Sequence, residues 1–187
     1  MCLKNLLLDY NENSEEISKW VSLKGEIKYK EYAHFLVKNN ISLTWKNLDD
    51  LFRYDKRLLS NLFTYMSTFE EFLRAKIWEN THKQFDELND DYIGSEIKQV
   101  YKIYSNKECK EADIEFINNN YDCLRELRNA ISHNKILINR KFSNMSLEET
   151  INVFCKCLPY VYQKGFTSSI KKCSNKLNLD EKIIIKI

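Results

Sequence analysis

Arg128 and His133 stand five residues apart in the run Leu124-Arg-Glu-Leu-Arg-Asn-Ala-Ile-Ser-His-Asn-Lys-Ile-Leu137. Together they are a pair that could hold a phosphate and move a proton. Arg is a permanent planar cation suited to phosphate oxygens, and His has the side chain whose unperturbed pKa lies nearest neutrality. On a helix turning roughly 100° per residue, with Arg128 at zero, Arg125, Asn129, Ser132 and His133 fall between roughly 40° and 140°. Cys123, Leu124, Leu127, Ala130, Ile131 and Ile138 fall between roughly 200° and 320°, the arc that would face a core. The Asn129 amide, one turn before His133, could orient the imidazole or a substrate. The plain alternative is a solvated helix face that carries a surface His.

A helix that presents such a face needs others to pack on, and the composition supplies them. Three Gly and one Pro in 187 residues leave few tight turns for sheets and hairpins, so long helices are expected. Leu58, Leu62, Met66, Phe69, Leu73 and Ile77 recur at spacings of three and four, which predicts one long amphipathic helix over residues 54–88, with Asp55 as its cap. Glu70 and Arg74, four apart on that helix, form an ordinary ion-pair spacing.

Shorter helices are expected at residues 28–39 and 45–52 before it and at 92–104 after it. A polar acidic connector follows at 105–113, then the segment 114–137. Ser146 and Glu149 have the spacing of a capping box at the start of a further helix. Pro159 should kink or end that helix, and Gly165 should break the chain before a last helical stretch. Residues 183–187, four Ile and one Lys, have strand propensity and no evident partner strand.

Charge is unevenly distributed along the chain. Residues 84–122 carry ten acids against four Lys, whereas residues 124–187 carry twelve Lys or Arg against five acids, so the C-terminal half is the one suited to a polyanion. No apolar stretch approaches the about 18 residues of a membrane span, and Leu6–Leu8 is too short a run for a secretory leader. Cys2, Cys109, Cys123, Cys155, Cys157 and Cys173 show no disulfide framework, so reduced thiols and a cytoplasmic location are expected. Cys155 and Cys157 read as small buried residues rather than a redox pair. His34 and His82 have no Cys or His at ligand spacing, so neither metal nor cofactor is expected.

The run Arg128-Asn-Ala-Ile-Ser-His133 resembles the Arg-x-x-x-x-His signature of HEPN ribonucleases, including the Asn directly after the Arg. Its surroundings look like the Abi family of bacterial abortive-infection proteins, and type VI RNA-guided CRISPR nucleases carry the same kind of motif. Tyr54-Asp55-Lys-Arg-Leu and Phe69-Glu70-Glu-Phe-Leu-Arg74-Ala resemble that family's stretch upstream of the catalytic helix, so the likeness covers residues 45–137.

The resemblance implies an all-α, HEPN-like bundle of long antiparallel helices with additional N- and C-terminal helices. It would be a single domain over 1–187, with an N-terminal extension (1–53), a core that carries the motif (54–165) and a basic C-terminal segment (166–187). It implies a metal-independent endoribonuclease of toxin or antiviral-defence type, in which the ribose 2′-hydroxyl attacks the adjacent phosphorus. His133 would be the general base or acid, Arg128 the stabiliser of the phosphorane and Asn129 the orienting group. Arg125, Ser132, Lys135, Arg140 and Lys141 would contact RNA, with Glu70 and Arg74 supporting the site from behind.

A homodimer that brings two motifs together is implied, since one His cannot easily serve both ends of one displacement. A small structured RNA or an antitoxin is the further partner the resemblance suggests. Lys135 stands where family members controlled by tyrosine modification carry Tyr, so that mode of control is not expected. Two other readings remain open: an RNA-binding HEPN module, bound to or regulated by a small structured RNA, with weak or no cleavage, and a purely structural helical protein.

Overall fold

A computed structural model describes residues 3–81, 93–104 and 114–187. The fold is all-α: among the described residues the elements are a short 3-10 helix (Leu3–Asn5) and the helices α1 (Ser14–Lys24), α2 (Glu26–Lys38), α3 (Trp45–Thr81), α4 (Ile93–Tyr104), α5 (Ile114–Asn119), α6 (Tyr121–Ser132), α7 (Leu147–Cys157) and α8 (Tyr160–Lys172). No helix is long and apolar enough to cross a membrane among these residues. His82, Cys2, Cys109, the acidic connector and the end expected for the long helix lie outside the described residues.

The chain gathers into two compact units, residues 1–58 with 173–184 and residues 59–172 with 185–187; α3 supplies residues 45–58 to the first and 59–81 to the second. In the first unit Tyr29, Tyr32, Leu36, Leu48, Leu51 and Tyr54 are fully buried, and Tyr29 stacks on Phe52 with ring centroids 5.2 Å apart. The tail returns here: Arg57 donates to the carbonyls of Cys173 and Asn175, and the Asn178 amide donates to Asp50.

In the second unit the stripe Leu62, Met66, Phe69, Leu73 and Ile77 is buried. Helix α4 packs on α5 and α6, α6 on α7, and α7 on α8. The stripe therefore forms core, as its spacing predicts.

Four expectations are corrected. The helices expected at 45–52 and from 54 are one continuous helix, because no Gly or Pro interrupts them and Leu48, Leu51, Phe52, Tyr54 and Leu58 are all buried. Asp55 is therefore no cap; it is buried mid-helix and accepts a 2.6 Å hydrogen bond from the Tyr32 hydroxyl. Gly165 does not break the chain but sits inside α8, where a Cβ would lie 3.0 Å from the Tyr65 hydroxyl, so its role is close approach between helices. The segment 114–137 breaks at Asn120 and leaves the helix after Ser132, so Ile138 lies beyond the helix on which its angle was reckoned.

Ser146 and Glu149 do form the reciprocal capping box. Pro159 falls between α7 and α8. Residues 183–187 form no strand; the backbone of Lys186 instead donates to Glu148 and accepts from Asn152.

Candidate functional site

Helix α6 exists because one side of it has somewhere to go. Cys123, Leu124, Leu127, Ala130 and Ile131 are buried, and between them Arg125, Arg128 and Asn129 emerge half-buried. The helix closes with two backbone bonds, Asn134 N–H to the Ile131 carbonyl and Lys135 N–H to the Ala130 carbonyl, while Asn134 takes the left-handed conformation at φ 50°. That pair of bonds is the Schellman closure, and Asn is among the few residues that accept the backbone twist it requires. It makes His133 the C-cap residue, exposed at the end of the helix. A tight turn beyond it, with positive φ at Ser143 and Asn144, is tied back to α6 by the Ser143 N–H donating to Glu126 at 2.7 Å.

The two ends of the motif have different surroundings. Arg128 Nε donates to Glu70 Oε1 at 3.0 Å, with 24% of the Arg side chain and 17% of the Glu side chain exposed. Arg74 leaves its helical neighbour Glu70 at 3.9 Å and turns to Glu96, with Nε 2.8 Å from Oε1. Three helices thus contribute alternating charges in the order Arg128, Glu70, Arg74, Glu96. Two cations and two carboxylates make the group neutral in sum.

Glu96 is 1% exposed, and its second carboxylate oxygen has no hydrogen-bond partner among the described residues. Burial pushes its carboxyl above the ordinary value, against the pull of the Arg74 hydrogen bond and charge. Reading the motif from sequence overlooked Glu96. The signal was an acid at position 96 of α4, on the side that also carries the buried Ile97 and Val100.

At the other end, neither the His133 imidazole nor the Asn129 amide has a hydrogen-bond partner within the chain among the described residues, so Asn129 does not hold His133 through a direct bond. Ser132 is exposed beside it. Arg125 is engaged locally: an amino group is 3.2 Å from Asp122, its guanidinium lies 5.4 Å from the centre of the Tyr121 ring, and its Nε is buried without a partner among the described residues.

Lys135, Arg140 and Lys141 lie beyond the helix and are exposed, with Arg140 Nε donating to the Ile136 carbonyl. Among the described residues no group of three His, Cys, Asp or Glu side chains could hold a metal ion. Cys157 is buried, and Cys155, half-buried, places its sulfur 3.6 Å from the Thr167 hydroxyl.

The arrangement has a guanidinium held in place and an imidazole on the C-cap of the same helix, five residues on, which is about 7.5 Å of backbone rise at 1.5 Å per residue. Such a surface can bind a phosphodiester and exchange a proton with it. Comparisons with protein-family models, with curated proteins and with solved structures find no match.

Proposed function

We propose that this chain is a metal-independent endoribonuclease of HEPN type that works through Arg128 and His133, with a role in abortive infection or another toxin-type defence. The observation that carries the proposal is the pairing on α6 of a guanidinium fixed by Glu70 with an exposed imidazole on the helix cap. In the reaction, His133 takes the proton of a ribose 2′-hydroxyl as that oxygen attacks the adjacent phosphorus. The bond to the 5′-oxygen breaks, and the leaving oxygen takes a proton from an acid. Arg128 stabilises the added negative charge on the phosphorane. The products are a 2′,3′-cyclic phosphate and a 5′-hydroxyl.

One His cannot easily serve as base and acid in the same displacement, and a two-fold related copy is the economical source of a second one. The proposed active species is therefore a homodimer. The decisive experiment incubates the purified protein with single-stranded RNA in a chelator, beside His133→Ala, Arg128→Ala and a DNA of the same sequence. RNA cut by the unaltered chain alone, with cyclic phosphate ends, is the expected result; equal cleavage by all three proteins would reject the site.

A second reading, RNA binding with little or no cleavage, is favoured by one observation. Arg128 is already neutralised by Glu70, so a substrate phosphate must compete with a carboxylate for it. Binding without cleavage in the same assay selects that reading.

A further inference from the structure

The second unit carries a groove that the α6 motif does not use. One wall is α3, through Glu71, Phe72 and Ala75, and the other is the turn from α7 into α8, through Pro159, Tyr160 and Tyr162. The groove holds about 540 Å³, a volume typical of small-molecule sites. Its walls follow from local sequence. Glu71, Phe72 and Ala75 recur at helical spacing and so share one side of α3, away from the buried Phe69, Leu73 and Ile77. Leu158, held extended at ψ 145° before Pro159, ends α7. The Tyr162 N–H then donates to the Pro159 carbonyl, which opens α8 with Tyr160 82% exposed and Val161 78% exposed.

Glu71 is the one charged residue in this lining, and it is exposed. Among the described residues it makes no hydrogen bond and no ion pair. The cations nearest it in sequence have carboxylates of their own: Arg74 is bonded to Glu96, and Lys76 lies 3.1 Å from Glu79. A carboxylate beside the rings of Phe72, Tyr160 and Tyr162 attracts positive charge twice over, since an aromatic face also draws a cation. Two features oppose this, and both are weaker. The start of α8 carries only about half a positive charge, and Lys76, 5.8 Å from the centre of the Phe72 ring, is paired and outside the lining. An anion would meet Glu71 with no lining cation to offset it.

We propose that the groove between α3 and the start of α8 binds a small organic cation, an ammonium carried on an apolar or aromatic body. Glu71 takes the ammonium, and Phe72, Pro159, Tyr160 and Tyr162 cover the body. Few polar groups in an apolar lining is the usual composition of a small-molecule site, where the polar group sets orientation and the rings supply contact area. The site is independent of the reading of Arg128 and His133, neither of which lines the groove.

The test titrates the full chain with three probes of one shape and different charge, followed by ligand-detected NMR at neutral pH: tryptamine as the cation, tryptophol as the neutral form and indole-3-propionate as the anion. Tryptamine should bind with a Kd of about 1 mM or tighter, as its size allows. It should bind about tenfold more tightly than tryptophol, with indole-3-propionate weakest. Glu71→Gln should weaken tryptamine about fivefold and leave tryptophol within about twofold. Tyr160→Leu keeps apolar bulk without the ring and should weaken tryptamine about threefold. The control Glu181→Gln makes the same charge change in the other unit and should alter tryptamine binding by less than about twofold. Glu71 and Tyr160 are exposed, so both variants should fold as the unaltered chain does.

Tryptamine binding should persist when Arg128 and His133 are both Ala, which separates the groove from the α6 site. Tryptophol binding as tightly as tryptamine overturns the proposal, as does equal loss in Glu71→Gln and Glu181→Gln. A groove that belongs to a second copy of the chain gives a different result: no saturable tryptamine binding, and self-association in sedimentation that Tyr160→Ser abolishes. That outcome also overturns it.

Discussion

The two ends of the α6 motif differ in what holds them. Arg128 is half-buried and bonded to Glu70, itself within reach of Arg74, which is bonded to the buried Glu96, so the fold decides where that guanidinium points. His133 is exposed on the C-cap with no hydrogen bond to its ring among the described residues, where only the backbone places it. On the proposed mechanism the chain preorganises the cation and leaves the imidazole to be oriented by a substrate or a second copy. Preorganised electrostatics is the part of phosphoryl chemistry that a scaffold can supply in advance.

The comparison fails if the two ends respond alike to truncation. On the proposed mechanism both Arg128→Ala and His133→Ala lower RNA cleavage by about 10² to 10⁴. Only the first should also destabilise the fold, by about 1 to 3 kcal/mol, because it leaves Glu70 without its closest partner. Thermal melts of both variants beside the cleavage rates check this; matched melting temperatures would show that Arg128 is no more anchored than His133.

A subtler change keeps the shapes and releases the tether. Glu70→Gln removes the charge that aligns Arg128, and we expect kcat to fall about tenfold with KM changed less than twofold, since misplacing a catalytic group by about 1 Å costs that order or more. A rise in activity would mean instead that Glu70 competes with the substrate phosphate, which favours the carboxylate as a restraint.

Much of this was legible in the sequence, and the rest was hidden for identifiable reasons. The buried stripe of α3, the capping box at Ser146 and the sidedness of α6 follow from local spacing, which one chain's periodicity records directly. The union of the two segments on either side of Arg53 was hidden because Asp55 resembles a helix cap, whereas its partner is Tyr32, 23 residues away. Glu96 was hidden because its partner Arg74 lies 22 residues away, and only tertiary packing shows that Arg74 prefers it to the Glu70 one turn off. Gly165 was misread because a glycine for close approach and a glycine for chain breaking look the same until Tyr65 is in place.

Glu96 offers a test of the tethered end that needs no substrate. Burial raises its folded pKa above the ordinary 4.5, so its contribution favours the folded state most at low pH and is lost as pH rises through the folded value. Glu96→Gln carries no such charge. The melting temperature of the variant relative to the unaltered chain should therefore climb as pH is raised from about 4 to 7. A flat difference would show that the hydrogen bond and charge of Arg74 balance burial, and a difference that falls as pH rises would show that they outweigh it.

The smallest effect is expected at the other end, where Asn134 holds the left-handed turn that stops α6 at Ser132 and leaves His133 on the cap. Alanine at that φ costs about 1 kcal/mol, whereas glycine adopts it freely. Asn134→Ala should lower stability by about that amount and activity by less than tenfold, because the imidazole shifts without losing any bond of its own. Asn134→Gly should restore both to near the original level. If Ala lowers stability while activity is untouched, the substrate or partner copy alone orients His133, and the turn serves the helix and not the chemistry.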